Sequence, residues 1–263
     1  MSLTGKTLAG SYKDILQVDN SNSGIDTAVR VIKDGEGTAS CAYLSDDLLR
    51  VIPQNDDTTA TLEVRTNSGT SVFKVDTTNQ LVAASGNTVN TQYATFSIGY
   101  TEATNFVDDT HHPLTFSSAN YGATTASIPD FGTGTDPATT FTTSDTNKYR
   151  AGDIVPCLWY IPDAISIDSV TSIEGADNAT GDTTRMHLKS FTLNSGSTSC
   201  LTAGELLAHN TDTTNAGNEQ AYKSTWTVDE ASVTGGKVIL AFMRSDSVNS
   251  DYSVNITVKY HLV

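Results

Sequence analysis

The chain has 263 residues, 37% of them hydrophobic and only 17% charged, and 30 acidic against 15 basic residues leave a formal net charge of -15. A surface of that sign repels a phosphate backbone, which excludes nucleic acid as a partner, and no run approaches the roughly 18 consecutive apolar residues of a membrane-spanning helix. The remainder is crowded with Thr, Ser, Asn, Asp and Gly, so the composition predicts an all-β protein of short strands and turns, with no membrane partner.

The first residues, Met1-Ser2-Leu3-Thr4-Gly5-Lys6, lack a basic stretch followed by an apolar one, so a soluble, unsecreted protein is expected. From Tyr12 to Val82 the apolar residues come in short clusters, at 15–18, 29–32, 43–44, 48–52, 61–64 and 72–75. Turn formers separate them, as in Asp19-Asn20-Ser21-Asn22-Ser23-Gly24, Asp34-Gly35-Glu36-Gly37, Asn55-Asp56-Asp57 and Asn67-Ser68-Gly69. The clearest unit runs from Leu62 to Asp76, where Leu62 and Val64, then Phe73 and Val75, alternate across a Gly-containing turn and predict a hairpin. So few apolar side chains per strand cannot close a core within one chain, because a small unit buries too little surface to offset chain entropy. The missing interior is expected from neighbouring copies.

The small polar stretch 83–90 marks the expected junction, giving an attachment region at 1–90 and a larger domain at 91–263. Beyond it, Ala94, Phe96, Ile98 and Tyr100 alternate as a strand. The most apolar run of the chain, Ile154-Val155-Pro156-Cys157-Leu158-Trp159-Tyr160-Ile161, predicts a buried strand. Further strands are expected around Ile165 to Val170, Met186 to Leu193, Tyr222 to Val228 and Val238 to Phe242, with a short helix at 201–208. The segment 254–262 alternates throughout and predicts a strand with one face on a core. Loops at 175–182, 194–197 and 209–218 have the length of Greek-key crossings. About eight strands with alternating faces predict a two-sheet jelly-roll sandwich.

Chemistry-bearing patterns are few. Gly132-Thr133-Gly134-Thr135-Asp136-Pro137 lacks the third Gly and the apolar helix of a dinucleotide-binding loop. The turn at 19–24 imitates the start of a calcium loop, but its twelfth position is Arg30 where a bidentate Glu is needed. Asp108-Asp109-Thr110-His111-His112 gathers metal-ligand types, yet adjacent residues on an extended chain point to opposite sides, so a solvated loop is expected. His187 and His261 read as sheet-face residues, and Trp159 and Trp226 as core. Among so many acidic residues, pairs such as Asp46 with Asp47, Asp56 with Asp57, and Asp229 with Glu230 identify no glycosidase site. Cys41, Cys157 and Cys200 are odd in number and widely spaced, which predicts free thiols. No catalytic residue, metal ligand or cofactor is expected.

The opening, Leu3-Thr4-Gly5-Lys6-Thr7-Leu8 through Tyr12-Lys13-Asp14-Ile15-Leu16-Gln17-Val18-Asp19-Asn20, resembles the N-termini of structural and fibre-like virion proteins of marine tailed bacteriophages. The likeness continues in Asp34-Gly35-Glu36-Gly37-Thr38 and Val72-Phe73-Lys74-Val75-Asp76, which look like strand-turn units of intertwined fibre necks. Leu158-Trp159-Tyr160-Ile161-Pro162-Asp163-Ala164-Ile165 and 244–262 are similar to phage β domains. The resemblance implies a non-enzymatic, homotrimeric virion surface protein, a capsid decoration or head fibre, folded and assembled in the host cytoplasm. Its N-terminus would anchor to a capsid or tail protein, with the sandwich projecting. Leu8, Tyr12, Ile15, Leu16 and Val18, an apolar cluster near the chain start, are the expected anchoring residues. The alternative is a short tail fibre or receptor-binding protein that recognises a host surface glycan through loops at 110–121, 175–182 and 209–218.

Overall fold

A computed structural model describes residues 15–263 apart from 22, 56, 99–106, 118–127, 147, 178–179, 218 and 247–250. The chain divides into two compact units, Met1–Val89 and Asn90–Val263. In both, the regular elements are almost all antiparallel strands.

The front unit holds two four-stranded sheets. One contains β1 (Gln17–Val18), β2 (Arg30–Lys33), β3 (Ala39–Leu44) and β4 (Leu49–Val51), and the other β5 (Leu62–Arg65), β6 (Ser71–Asp76), β7 (Leu81–Ala84) and β8 (Asn87–Thr88), each in sequence order. Local turn chemistry makes them. Between β2 and β3 the Asp34 carboxylate accepts the Glu36 and Thr38 amides at 2.9 and 2.8 Å, and Gly37 takes φ +89°. Between β5 and β6 the Thr66 hydroxyl accepts the Thr70 amide at 3.1 Å, and Gly69 takes φ +87°. A left-handed residue closing such a turn suits glycine, which has no Cβ to clash. The expected hairpin at 62–76 is present in the register Leu62 opposite Val75 and Val64 opposite Phe73. The small polar stretch at 83–90 is itself paired, as β7 and β8.

The rear unit begins with β9 (Thr91–Ile98), β10 (His112–Pro113) and β11 (Thr115–Phe116). After a long connection come α1 (Ala151–Ile154), a 3-10 turn (Val155–Cys157), β12 (Trp159–Ile161), β13 (Ile165–Asp177), β14 (Thr183–Leu193), β15 (Leu201–His209), β16 (Thr213–Thr214) and β17 (Gln220–Thr225). The chain closes with β18 (Thr227–Val228), β19 (Ser232–Val233), β20 (Lys237–Ser245) and β21 (Asp251–Leu262). One sheet has the order β11-β9-β21-β13-β17, the other β10-β20-β14-β15-β18. Phe96, Val170, Met186, Leu188, Ile239, Ala241, Ile256 and Val258 form the main core, with Trp159 and Trp226. The alternation predicted for 254–262 holds in β21 at Val254, Ile256 and Val258, which are buried, and fades at its end, where Tyr260 is half-buried and Leu262 is 38% exposed.

The second sheet carries apolar residues on its other face too. There Phe191, Val238, Leu240 and Phe242 are covered by Phe131, Phe141, Ile154 and Cys157, from the connection between β11 and β12. This cover corrects two expectations. The run 154–161 is mostly not strand: Pro156 has no amide to give a sheet and its fixed φ suits a helical turn, so only β12 pairs, with β20. Ile154 and Cys157 still bury completely, while Val155 is 62% exposed. The expected helix at 201–208 is strand β15, paired with β14 through two irregularities. Gly204 allows this pairing: a Cβ there would lie 2.6 Å from the Phe191 ring, so the bare backbone packs directly on that ring. All three cysteines are free, Cys157 buried, Cys200 partly buried and Cys41 exposed.

Candidate functional site

Strand β14 turns Arg185, His187, Lys189 and Phe191 to the outer face, because alternate residues share a face. Opposite them on β20 stand Arg244, Phe242, Leu240 and Val238. The face therefore grades from an apolar end, roofed by the connection, to a cationic end.

Basic side chains fasten that roof. His111 Nε2 lies 3.0 Å from the Gly134 carbonyl, and the Lys189 ammonium donates to the Pro137 carbonyl at 2.7 Å. His187 Nε2 lies 3.3 Å from the Asp136 carboxylate. Arg244 donates to the Gly134 carbonyl at 3.2 Å and to Asp109 at 2.7 Å. The Val107 amide donates to His112 Nε2 at 3.1 Å, so the proton sits on Nδ1, which donates to the Pro129 carbonyl at 2.9 Å. Thus His111 and His112 are buried completely, which corrects the expectation of a solvated loop. Burial pushes the His111 imidazole down to about 4 and His187 to about 3, so both are neutral near pH 7. The two rings meet edge to face with centroids 4.9 Å apart.

Beside the roof lies a groove of about 510 Å³ lined by Thr135, Asp136, Arg185, His187, Leu206, His209, Asn210, Thr211 and Asp212. A smaller hollow of about 170 Å³ shares Arg185 and Asp212 and adds Asp109, Thr183, Arg244 and Asp246. Arg185 grips the Asp212 carboxylate with two donors, Nε at 2.7 Å, which holds that carboxyl below its usual range. Asn210 accepts the Met186 amide at 2.6 Å through its side-chain oxygen. Its Nδ2 and His187 Nδ1 are buried without a hydrogen-bond partner. His209 Nδ1 stands 2.8 Å from Asp229.

Among the described residues no three His, Cys, Asp or Glu side chains converge as metal ligands. The calcium-like turn is closed by protein: Asn20 donates to the Gly24 carbonyl at 2.8 Å and to Asp26, itself paired with Arg30. Other carboxylates singled out by sequence serve turns, Asp47 accepting from Ser45, Asp57 from Asn55 and Glu230 from the Ser232 amide; Asp56 is outside the described residues. Of the expected anchoring set, Leu8 and Tyr12 are also outside them; Ile15 and Val18 are half-buried, and Leu16 is 71% exposed. Of the proposed recognition loops, 209–212 lines the groove, whereas 118–121 and 178–179 fall outside the described residues. Sequence reading missed Asp136, Arg185, Asn210, Asp212 and Arg244. One signal was available: Arg185, His187 and Lys189 recur at alternate positions in a chain with only 15 Lys and Arg, and three basic side chains on one strand face demand acceptors. No protein-family model matches this chain, and no curated protein matches it significantly.

Proposed function

We propose that the chain is a homotrimeric structural protein of a phage particle, a capsid decoration or head fibre, attached through its front unit and displaying its rear unit on the virion surface. The observation that carries this reading is the state of the front unit. Among its described residues no large apolar side chain is buried, while Leu16, Ile25, Leu48, Leu49, Ile52, Leu62, Val64, Val72 and Val89 are all exposed. Two sheets with open apolar faces are far from stable alone, and identical copies arranged about an axis supply the missing partner surface. Ile15, Leu16 and Val18, with Leu8 and Tyr12 before them, remain the proposed contacts to a capsid or tail protein.

A jelly roll in the rear unit is supported by strand order. Taking β9, β10, β13, β14, β15, β17, β20 and β21 as successive strands, the first, eighth, third and sixth share one sheet and the second, seventh, fourth and fifth the other. That interleaving is what two nested Greek keys generate, an architecture found in viral capsid proteins. A structural role without catalysis fits this plan. Sedimentation of the purified chain at micromolar concentration tests it: three copies are expected, and a well-folded monomer would sink it. Loss of particle incorporation on deleting residues 2–20 tests the anchor. The groove beside Arg185 favours a second reading, a receptor-binding protein of the tail.

A further inference from the structure

We propose that the groove on the outer face of β14 and β15 binds a neutral saccharide, with Arg185, Asn210 and Asp212 as the principal hydrogen-bonding residues. This deepens the receptor-binding reading and rests on it for biological purpose only, since every lining residue belongs to the rear unit.

The first support is an unmet hydrogen-bonding capacity. Asn210 and His187 line the groove while only 2% and 3% exposed, and Asn210 Nδ2 and His187 Nδ1 have no partner. A buried donor without an acceptor, such as Asn210 Nδ2, is destabilising. A ligand hydroxyl seated against Asn210, reached by a small side-chain rotation, would satisfy it.

Charge then selects the ligand class. Asp136 and Asp212 outnumber Arg185 in the groove, and the adjoining hollow adds Asp109 and Asp246 against Arg244. Both arginines already bind carboxylates, so an anionic ligand would meet net repulsion. A bare divalent cation needs several ligands converging on one point, and no such group exists among the described residues. What remains is a neutral molecule rich in hydroxyls. Asp212 offers acceptors directly beside the guanidinium of Arg185, a side-by-side pair that matches two vicinal hydroxyls. Leu206 supplies an apolar wall for the C–H face of a pyranose ring, and the 510 Å³ volume lies within the range of small-molecule clefts. The Arg185–Asp212 pair is also held in place by its two bonds, so little ordering cost falls on it when a ligand binds.

The test is calorimetric titration of the full chain with three neutral trisaccharides, maltotriose, cellotriose and laminaritriose, and with sialyllactose as an anionic comparison. At least one neutral probe is expected to bind with a dissociation constant of about 0.1–1 mM, and sialyllactose more weakly. Asp212→Ala and Arg185→Lys should each weaken binding about tenfold. Asn210→Ala should weaken it as well, with thermal melting run beside each variant to confirm folding. Lys259→Ala, on the other sheet, should bind as the parent does. No binding by any neutral probe at several times that concentration, tighter binding of sialyllactose, or unchanged affinity in the folded Arg185→Lys variant would each overturn the proposal. Sedimentation of the same sample separates this from the assembly reading, because a monomer that binds saccharide and a trimer that does not are different failures.

Discussion

The two units share strand and turn chemistry and differ in what their strands bury. In the rear unit Phe96, Phe131, Phe191 and Phe242 are 0–1% exposed, and two apolar clusters sandwich a single sheet. In the front unit turns such as those at Gly37 and Gly69 shape sheets whose Leu49 and Val64 remain 65% and 54% exposed. Backbone pairing sets geometry, whereas apolar burial supplies most of the free energy, about 1.5–3 kcal/mol for each large side chain fully removed from water. The largest effect expected from a single substitution follows. Phe242→Ala, which empties the centre of a cluster where Phe131 stands 4.7 Å away, should cost about 3–5 kcal/mol in denaturant unfolding of the rear unit. Val64→Ala should leave unfolding of the rear unit unchanged within about 0.5 kcal/mol, yet weaken self-association of the chain. Equal losses at both sites under dilute conditions would abolish the contrast.

Acid separates the units next. All five histidines lie beyond Asn90. His111 and His187 are held neutral by burial, at about 4 and about 3, whereas the unfolded chain titrates near about 6.5. Between about pH 6.5 and these lower values the unfolded state binds protons that the folded state refuses, so rear-unit stability falls as pH falls, by a few kcal/mol in all. In the front unit the shifted groups are carboxyls, Asp26 lowered by Arg30, Asp34 by the Thr38 amide and Glu63 by Arg65. Their contribution is lost only as pH falls below the ordinary carboxyl range, about 4. Both tryptophans are in the rear unit, so their fluorescence should report loss of stability at pH 5 that His111→Gln reduces. A pH-independent rear unit between 7 and 4.5 would refute the neutral, buried assignment.

Glycine gives a smaller and differently caused contrast. Gly204→Ala would place a methyl group 2.6 Å from the Phe191 ring and 2.8 Å from the Thr139 backbone, a packing conflict worth about 1–3 kcal/mol in rear-unit melting. At Gly69 the added methyl meets open space, and the penalty is the φ of +87°, about 1 kcal/mol. Gly69→Asn should recover part of that loss, since Asn tolerates the left-handed region, while Gly204→Asn should be worse than alanine.

The sequence disclosed what is local. The turns at 34–37 and 67–69 and the first half of the alternation expected over 254–262 are each decided within a few residues, and each is found where it was expected. What misled were segments whose partners are distant in the chain. Thr202-Ala203-Gly204 suits neither a regular helix nor a regular strand, and β15 forms because β14 and the Phe191 ring are there to receive it. His111 looks solvated until Gly134, 23 residues on, closes over it. The groove is assembled the same way: Arg185 meets Asp212 across 27 residues, and Arg244 meets Asp109 across 135. Only the basic alternation on β14 could have announced it.

The smallest predicted effect compares two buried carboxyls. Glu174, on β13, is 2% exposed, accepts the Thr184 hydroxyl at 2.6 Å on one oxygen and leaves the other without a partner. Desolvation therefore raises its pKa, so the folded state retains a proton that the unfolded chain releases, and stability declines as pH rises above about 4.5. Asp76 of the front unit is equally inaccessible, but the side chain and backbone amide of Asn79 both donate to it at 2.9 Å and lower its pKa. Its contribution is present at neutral pH and lost as pH falls through the carboxyl range. Removing the charge should thus act oppositely in the two units. Glu174→Gln should equal the parent near pH 4 and exceed it by about 1 kcal/mol at pH 8, because the amide never ionises in the interior. Asp76→Asn should weaken the front unit at pH 7 and matter little in acid, because the amide lacks the charge that its two donors stabilise. Urea unfolding of both variants at the two pH values checks the pair, and a shift of the same sign at both sites would show that burial alone, without its hydrogen-bond partners, governs these carboxyls.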